Sequence, residues 1–303
     1  MRLNELMETL YGLLSDLDGK TTSRILREPL DYFAQRGVHA VVILGEAGAH
    51  LSDIARWSDT HKKDVFAIPG SHEPLGWMSD MHLLQQGYPL LHNGVTHSVH
   101  DWREHRLVFV PGSEIQTGKG AFYLTEEFPT GPQFVHGKMV YCSNVNDLRG
   151  SVENPASTLI MSHTPPLQSG EDATDWAEFS ETEHEEELGQ IKIKHRAITP
   201  GIYERFNNLV RTHDRKEVRE ENRGYGPLRQ IVDEKFPYGS LRLAHGHYHE
   251  STHRTRDRRG GHVREKTPVR EVIHNASCMD LDRAAIWAVH GNTVSIENLV
   301  FPM

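Results

Sequence analysis

Five apolar runs in this 303-residue chain each stop at a short polar cluster, and each cluster lies beside Gly or Pro. The clusters are Asp16-Leu17-Asp18, Gly45-Glu46, Gly70-Ser71-His72-Glu73, Ser162-His163-Thr164-Pro165-Pro166 and Gly246-His247-Tyr248-His249. Carboxylate oxygens and imidazole nitrogens are the usual ligands of divalent cations. Taken singly, a His after a strand is more often a satisfied polar residue than a ligand. Five such clusters, each with a residue that turns the backbone sharply, have few structural explanations and point together to a metal centre. No His-Glu-x-x-His helix is present, which argues against a helix-borne zinc hydrolase built on His163, His247 and His249.

To converge, these residues need a scaffold that gathers strand ends. Open α/β sheets do so, because ligands collect at the carboxyl ends of their strands. The pattern fits. Tyr11–Leu14 is a short apolar run, and a helix is expected from about Thr22, with Leu26, Leu30 and Phe33 on one face and Gly37 ending it. Ala40–Leu44 reads as a buried strand, Leu51–His61 as a helix, and Val65–Ile68 as the next strand. Further strands are expected at Leu107–Val110, Ala121–Leu124, Met139–Cys142, Thr158–Met161, Leu241–Ala244, Glu271–Ile273, Ala284–Val289 and Val294–Val300. A Gly291-Asn292 turn joins the last two as a hairpin.

The whole chain, 1–303, reads as one domain. About 168–238 stands apart, with an acidic run (Glu181, Glu183, Glu185, Glu186, Glu187) followed by a mixed-charge pattern from Tyr203 to Glu221. It reads as a mostly helical insertion over the core. The composition is that of a soluble globular protein, 37% hydrophobic and 25% charged. The net charge of −9 argues against a general nucleic-acid coat but not against an anionic substrate, since a bound cation reverses the local field. No run approaches the roughly 20 apolar residues that cross a bilayer. The N-terminus shows no signal peptide, so a cytoplasmic location with Cys142 and Cys278 as reduced thiols is expected.

The order of the clusters resembles the calcineurin-like metallophosphoesterase superfamily, whose motifs run Asp-x-His, Gly-Asp, Gly-Asn-His-Glu, a His after a strand, and Gly-His-x-His. Ser162-His163-Thr164-Pro165-Pro166 and Gly246-His247-Tyr248-His249 are the strongest matches. The resemblance implies a four-layer α-β-β-α sandwich, whose second sheet the C-terminal hairpin would close. It implies one or two divalent ions, manganese foremost, with magnesium, iron, nickel or zinc as alternatives. One ion would be held by Asp16, Asp18, Glu46 and His249, the other by Glu46, Ser71, His163 and His247. The implied activity is hydrolysis of a phosphomonoester or phosphodiester by a metal-bound hydroxide, with His72 facing the leaving oxygen and Glu73 orienting it. The family's substrates include nucleotides, nucleic acids, phosphoproteins and lipid precursors.

Four positions depart from the family pattern: Asp18 replaces His, Glu46 replaces Asp, Ala49 replaces a frequent Asp, and Ser71 replaces Asn. Asp for His makes a ligand harder, favouring Mn²⁺ or Mg²⁺ over Zn²⁺. The departures also leave open a catalytically impaired binding or scaffold protein on the same fold. Finally, Arg254, Arg256, Arg258, Arg259, Arg264, Lys266 and Arg270 follow the Gly-His-x-His segment. Arg256, Arg258 and Arg259 are expected to attract a polyanionic substrate, a nucleotide or nucleic acid, with a solvated hairpin as the plainer reading.

Overall fold

The computed structural model describes residues 8–17, 22–113, 120–135, 137–169, 173–188, 191–200, 217–222, 224–248, 251–276 and 283–301, with backbone alone for 176–188, 191–200 and 217–222. In chain order the first half holds β1 (Thr9–Leu14), α1 (Ser23–Gln35), β2 (Ala40–Leu44), α2 (Leu51–His61), β3 (Asp64–Ile68), α3 (Trp77–Gly87), β4 (Leu91–Asn93), β5 (Val99–Trp102), β6 (His105–Val110), β7 (Phe122–Thr125), β8 (Gly131–Val135) and β9 (Lys138–Asn144). Then follow α4 (Leu148–Ser151), β10 (Thr158–Ser162), β11 (Trp176–Leu188), β12 (Ile191–Pro200), β13 (Glu217–Asn222), α5 (Gly226–Lys235), β14 (Arg242–His245), β15 (Thr255–Arg256), β16 (Val272–Asn275), β17 (Arg283–His290) and β18 (Thr293–Val300).

Two six-stranded sheets form the body, in the orders β18-β17-β1-β2-β3-β4 and β15-β16-β14-β10-β6-β5. Side-chain alternation along each strand builds four layers from them. Leu13, Val42, Leu44 and Phe66 of the first sheet and Leu107, Phe109, Leu159 and Met161 of the second fill the space between the sheets. Their sequence neighbours point the other way. Leu14, Val41 and Ile43 pack against Leu26, Leu30 and Phe33 of α1 and Ile54 of α2. Val108, Ile160 and Leu243 pack against Leu228, Ile231 and Val232 of α5. This is the four-layer α-β-β-α sandwich. Thr22 caps α1 by accepting the Ile25 N–H, and the C-terminal hairpin completes the first sheet beside β1, not the second.

The strands that matter for function are parallel. β1, β2 and β3 run together in one sheet, and β6, β10, β14 and β16 run together in the other. Their carboxyl ends therefore open at one edge of each sheet. At the opposite end the fully buried Arg242 of β14 donates to the carbonyls of Gly291, Pro155, Ala156 and Thr158, tying two further segments to that strand.

The reading of 168–238 as mostly helical is corrected. Its described residues form a three-stranded antiparallel sheet, β12-β11-β13, followed by α5. The register sets Glu183, Glu185 and Glu187 opposite Arg196, Lys194 and Lys192. In sequence, Ile191 and Ile193 alternate with Lys192 and Lys194 at the period of a strand. Part of the Tyr203–Glu221 pattern lies outside the described residues, and its described end is strand β13. Among the described residues no helix is long and apolar enough to cross a membrane.

Burial of three histidines outside the five polar clusters sets a pH limit on this fold. Desolvation depresses His105 and His253 each to about 4 and holds His274 well below its ordinary value. The unfolded chain binds these protons at about pH 6.5 and the folded chain does not. Their contribution is therefore whole above about pH 6.5 and drains away as pH falls toward 4. Urea midpoints are expected to drop through that window, and His105→Gln is expected to flatten part of the drop.

Candidate metal centre

Each expected cluster sits in the loop that leaves a parallel strand. Asp16 follows β1, Glu46 follows β2, Ser71 and His72 follow β3, His163 follows β10, and His247 follows β14. Asp16, Glu46 and His163 converge: one ligand atom from each lies within 4.8 Å of the others, and all three residues are buried. Asp18 and His249 lie outside the described residues.

The backbone is shaped for this meeting. Asp16, Glu46 and His247 adopt positive φ of 57°, 61° and 75°, a conformation costly for side chains longer than Asn or Asp. Three glycines let the loops touch. A Cβ on Gly45 would fall 2.2 Å from His163 Nδ1, one on Gly70 would fall 2.7 Å from both Glu46 Cγ and His163 Cε1, and one on Gly246 would fall 1.6 Å from Ser15 Oγ. The Gly in each motif is therefore a close-approach residue.

The fully buried His163 joins the two sheets. Its Nδ1 lies 2.7 Å from the Leu44 carbonyl, which assigns Nδ1 the proton and leaves Nε2 with its lone pair. Nε2 accepts the Ser71 N–H at 3.2 Å and lies 3.8 Å from Glu46 Oε1. Metal-ligating histidines are held in this way, one nitrogen donating to a backbone carbonyl and the other aimed at the ion. Two carboxylates and one such imidazole make a donor set that fits a divalent cation.

Around this trio the remaining expected residues take differing places. Ser71 donates its hydroxyl to Glu46 Oε1 at 2.7 Å, so it reaches the cluster through Glu46. His72 keeps 53% of its side chain exposed, with Nε2 3.8 Å from Glu46 Oε1. The His247 N–H donates to both Asp16 oxygens at 3.2 Å, while its ring lies tilted against those of His163 and Tyr248, with centroids 4.8 Å and 4.5 Å away. Its Nε2 lies 3.4 Å from Ser113 Oγ. Ser113 was not expected at the site; the signal was there, since Pro111-Gly112-Ser113 follows β6 as the other clusters follow their strands. His245 is fully buried, with Nδ1 2.8 Å from the Gly246 carbonyl, and desolvation depresses it to about 4.

Two assignments are corrected. Glu73 does not orient His72. Its carboxylate accepts the Ala47 N–H at 2.8 Å and the Gly70 N–H at 2.6 Å. Burial raises this carboxyl to about 7, against the lowering effect of those two bonds. Nor do Arg256 and Arg258 belong to an exposed cationic patch. Arg258 is buried, bonded to Asp233, Glu271 and the carbonyls of Phe236 and Pro237. Arg256 is buried too, and of the three only Arg259 is exposed, its guanidinium 4.5 Å from the Tyr238 ring centroid. Adjacency in sequence to the Gly-His-x-His loop did not bring Arg256 and Arg258 to the surface, because acidic and carbonyl acceptors draw them inward.

No family model matches the sequence, and no curated protein matches it significantly. Solved structures match it along nearly its whole length. One, described as TT1561 of Thermus thermophilus, aligns with a TM-score of 0.55 at 9% identity, over 96% of this chain and 99% of that one. Another aligns with a TM-score of 0.52 at 13% identity, again over 96% and 99%. Two stacked mixed sheets between helical layers carry the five motif loops, in their expected order, on strand ends. The chain shares the fold of these two structures, a four-layer α-β-β-α sandwich of the kind the sequence resemblance implies. At these identities the likeness speaks to the fold alone. A dimetal phosphatase from Danio rerio is also matched, over 97% of this chain and 99% of that one, at 12% identity and a TM-score of 0.42, too distant to add to this. Within this fold, the Asp16–Glu46–His163 trio occupies the edge where strand-end loops of both sheets meet.

Proposed function

We propose that the chain is a metal-dependent phosphoesterase acting on a phosphomonoester or phosphodiester. The observation that carries this reading is the buried convergence of Asp16, Glu46 and His163 from three separate strand ends. These residues would hold a divalent ion, with Asp18, Ser71, His247 and His249 as the further ligands that the sequence resemblance implies. An oxygen-rich set favours Mn²⁺ or Mg²⁺ over Zn²⁺. When bound, such an ion supplies Lewis-acid polarisation of a phosphoryl oxygen and a nucleophile from water at neutral pH.

The chain's own residues then divide the remaining work. Asp16 and Glu46 bring negative charge to a site shielded from water, so they bind cation strongly. His163 is held in one tautomer by Leu44, so its Nε2 stays an acceptor. His72, half in solvent beside Glu46, is suited to give a proton to a departing oxygen. The buried Arg256 and Arg258 remove the main support for a polyanion channel, so a small phosphate ester is the favoured substrate, with a cytoplasmic location as the working expectation.

The test is metal analysis together with hydrolysis. Purified protein reconstituted with Mn²⁺ is expected to hold one or two equivalents and to cleave an aryl phosphomonoester or a bis-aryl phosphodiester. EDTA is expected to abolish turnover. Metal uptake without cleavage of either ester would favour the scaffold reading, and no uptake would remove the enzyme.

A further inference from the structure

We propose that Glu73 is a positioning residue that fixes the separation of the loops carrying Glu46 and Ser71–His72, a role that rests on the metal-centre reading above. Ala47 directly follows Glu46, and Gly70 directly precedes Ser71. One carboxylate takes the N–H of both, at 2.8 Å and 2.6 Å. The loop after β2 is thereby stapled to the loop after β3 one residue from each site group. A third tie runs through the Glu73 carbonyl, which accepts the Ala121 N–H at 3.0 Å from the segment leading into β7. The staple is buried: Glu73 is 3% exposed.

The consequence falls on the cluster itself. Ser71 contacts Glu46 through its hydroxyl and His163 Nε2 through its N–H. A slip of the β3 loop against the β2 loop would break the Ser71–Glu46 contact, which does not compete with an ion for the single Nε2 lone pair, and would shift Glu46 relative to His163. A carboxylate is suited to the staple because both oxygens accept. The isosteric amide has one accepting oxygen and one donating NH₂, so it satisfies Ala47 or Gly70 but not both. Residues that orient ligands from outside the coordination shell are worth about 10–100-fold in metal affinity.

The experiment compares the full chain with Glu73→Gln and Glu73→Asp. Circular dichroism reports the fold, calorimetry the Mn²⁺ affinity, and electron paramagnetic resonance the bound Mn²⁺. Glu73→Gln is expected to keep the fold, bind Mn²⁺ about 10–100-fold more weakly and change its resonance signal. Glu73→Asp, with two acceptors on a shorter stem, is expected to recover part of the affinity. Wild-type affinity and signal in a folded Glu73→Gln overturn the proposal. If Glu73→Gln does not fold, amide exchange in the unmodified chain decides. A shared staple gives Ala47 and Gly70 equal protection that rises together on adding Mn²⁺, whereas independent exchange overturns it. Failure of the unmodified chain to bind Mn²⁺ defeats the metal reading and this proposal with it, and is read before any variant is made.

Discussion

His163→Ala is expected to abolish tight Mn²⁺ binding and to lower kcat/KM for aryl phosphate hydrolysis by at least about a hundredfold, the upper range for losing a residue that only orients a ligand. Three contacts are lost together. The ring spans from the Leu44 carbonyl at 2.7 Å to Glu46 Oε1 at 3.8 Å, and it receives the Ser71 N–H. Alanine removes the imidazole from both the Leu44 carbonyl, which keeps the Ser15 hydroxyl at 3.3 Å, and the Ser71 N–H, so the direct cost in hydrogen bonding is expected to be about 1 kcal/mol and the main loss is the ligand itself. The fold is expected to survive, because the two sheets still share the apolar layer of Leu13, Val42, Phe66, Phe109 and Met161. His72→Ala supplies the contrast. Its side chain is 53% exposed and stands outside the buried trio, so the variant is expected to bind Mn²⁺ normally and to lose about 10²–10⁴ in kcat, the range for a general acid. Calorimetry beside steady-state kinetics separates the two outcomes. Equal Mn²⁺ affinity in His163→Ala and the unmodified chain would sink the assignment of His163.

Much of this site was readable from the chain because its determinants are local. Continuous apolar runs such as Ala40–Leu44 and Thr158–Met161 mark strands buried on both faces, and Glu46 and His163 of the converging trio follow their ends. Thr22 and Gly37 punctuate α1 in ways that any neighbourhood would preserve. The failures share a different origin. β4 and β5 escaped notice because they are edge strands, and Leu91-His92-Asn93 and Val99-His100-Asp101-Trp102 carry the polar residues that edges tolerate. The acidic run of β11 reads as a solvated face until the basic β12 is set against it, and that pairing is a fact of register rather than of composition. Arg258 reads as a surface cation until Asp233 and Glu271 are known to surround it. Glu73 shows the same limit within a motif. Its place beside His72 in sequence pointed to His72, whereas folding turned its carboxylate to two backbone N–H groups, one of them from a loop that lies 26 residues earlier.

Gly246→Ala is expected to destabilise the protein by about 3 kcal/mol and to remove its metal affinity, although it adds one methyl group. The new Cβ would fall 1.6 Å from Ser15 Oγ, 2.7 Å from Ser15 Cβ and 3.0 Å from Asp16 Oδ2. Rotating the Ser15 hydroxyl relieves only the first of these contacts, so the β1 and β14 loops must separate. Those loops are joined by the His247 N–H, which donates to both oxygens of Asp16, and a shift there drags Asp16 away from Glu46 and His163. The clash also predicts its own cure. Ser15→Gly removes both the hydroxyl and the Cβ that obstruct, so the double variant Ser15→Gly/Gly246→Ala is expected to regain stability and Mn²⁺ binding relative to Gly246→Ala. Two destabilising single changes that restore each other would give a coupling well beyond the few tenths of a kcal/mol seen between independent sites. Gly150→Ala is the control: nothing lies within 4 Å of its Cβ in helix α4, and the change is expected to be neutral or stabilising by about 0.5–1 kcal/mol. Urea denaturation of the four variants measures the cycle, and simple additivity between positions 15 and 246 would mean that the loops do not meet as described.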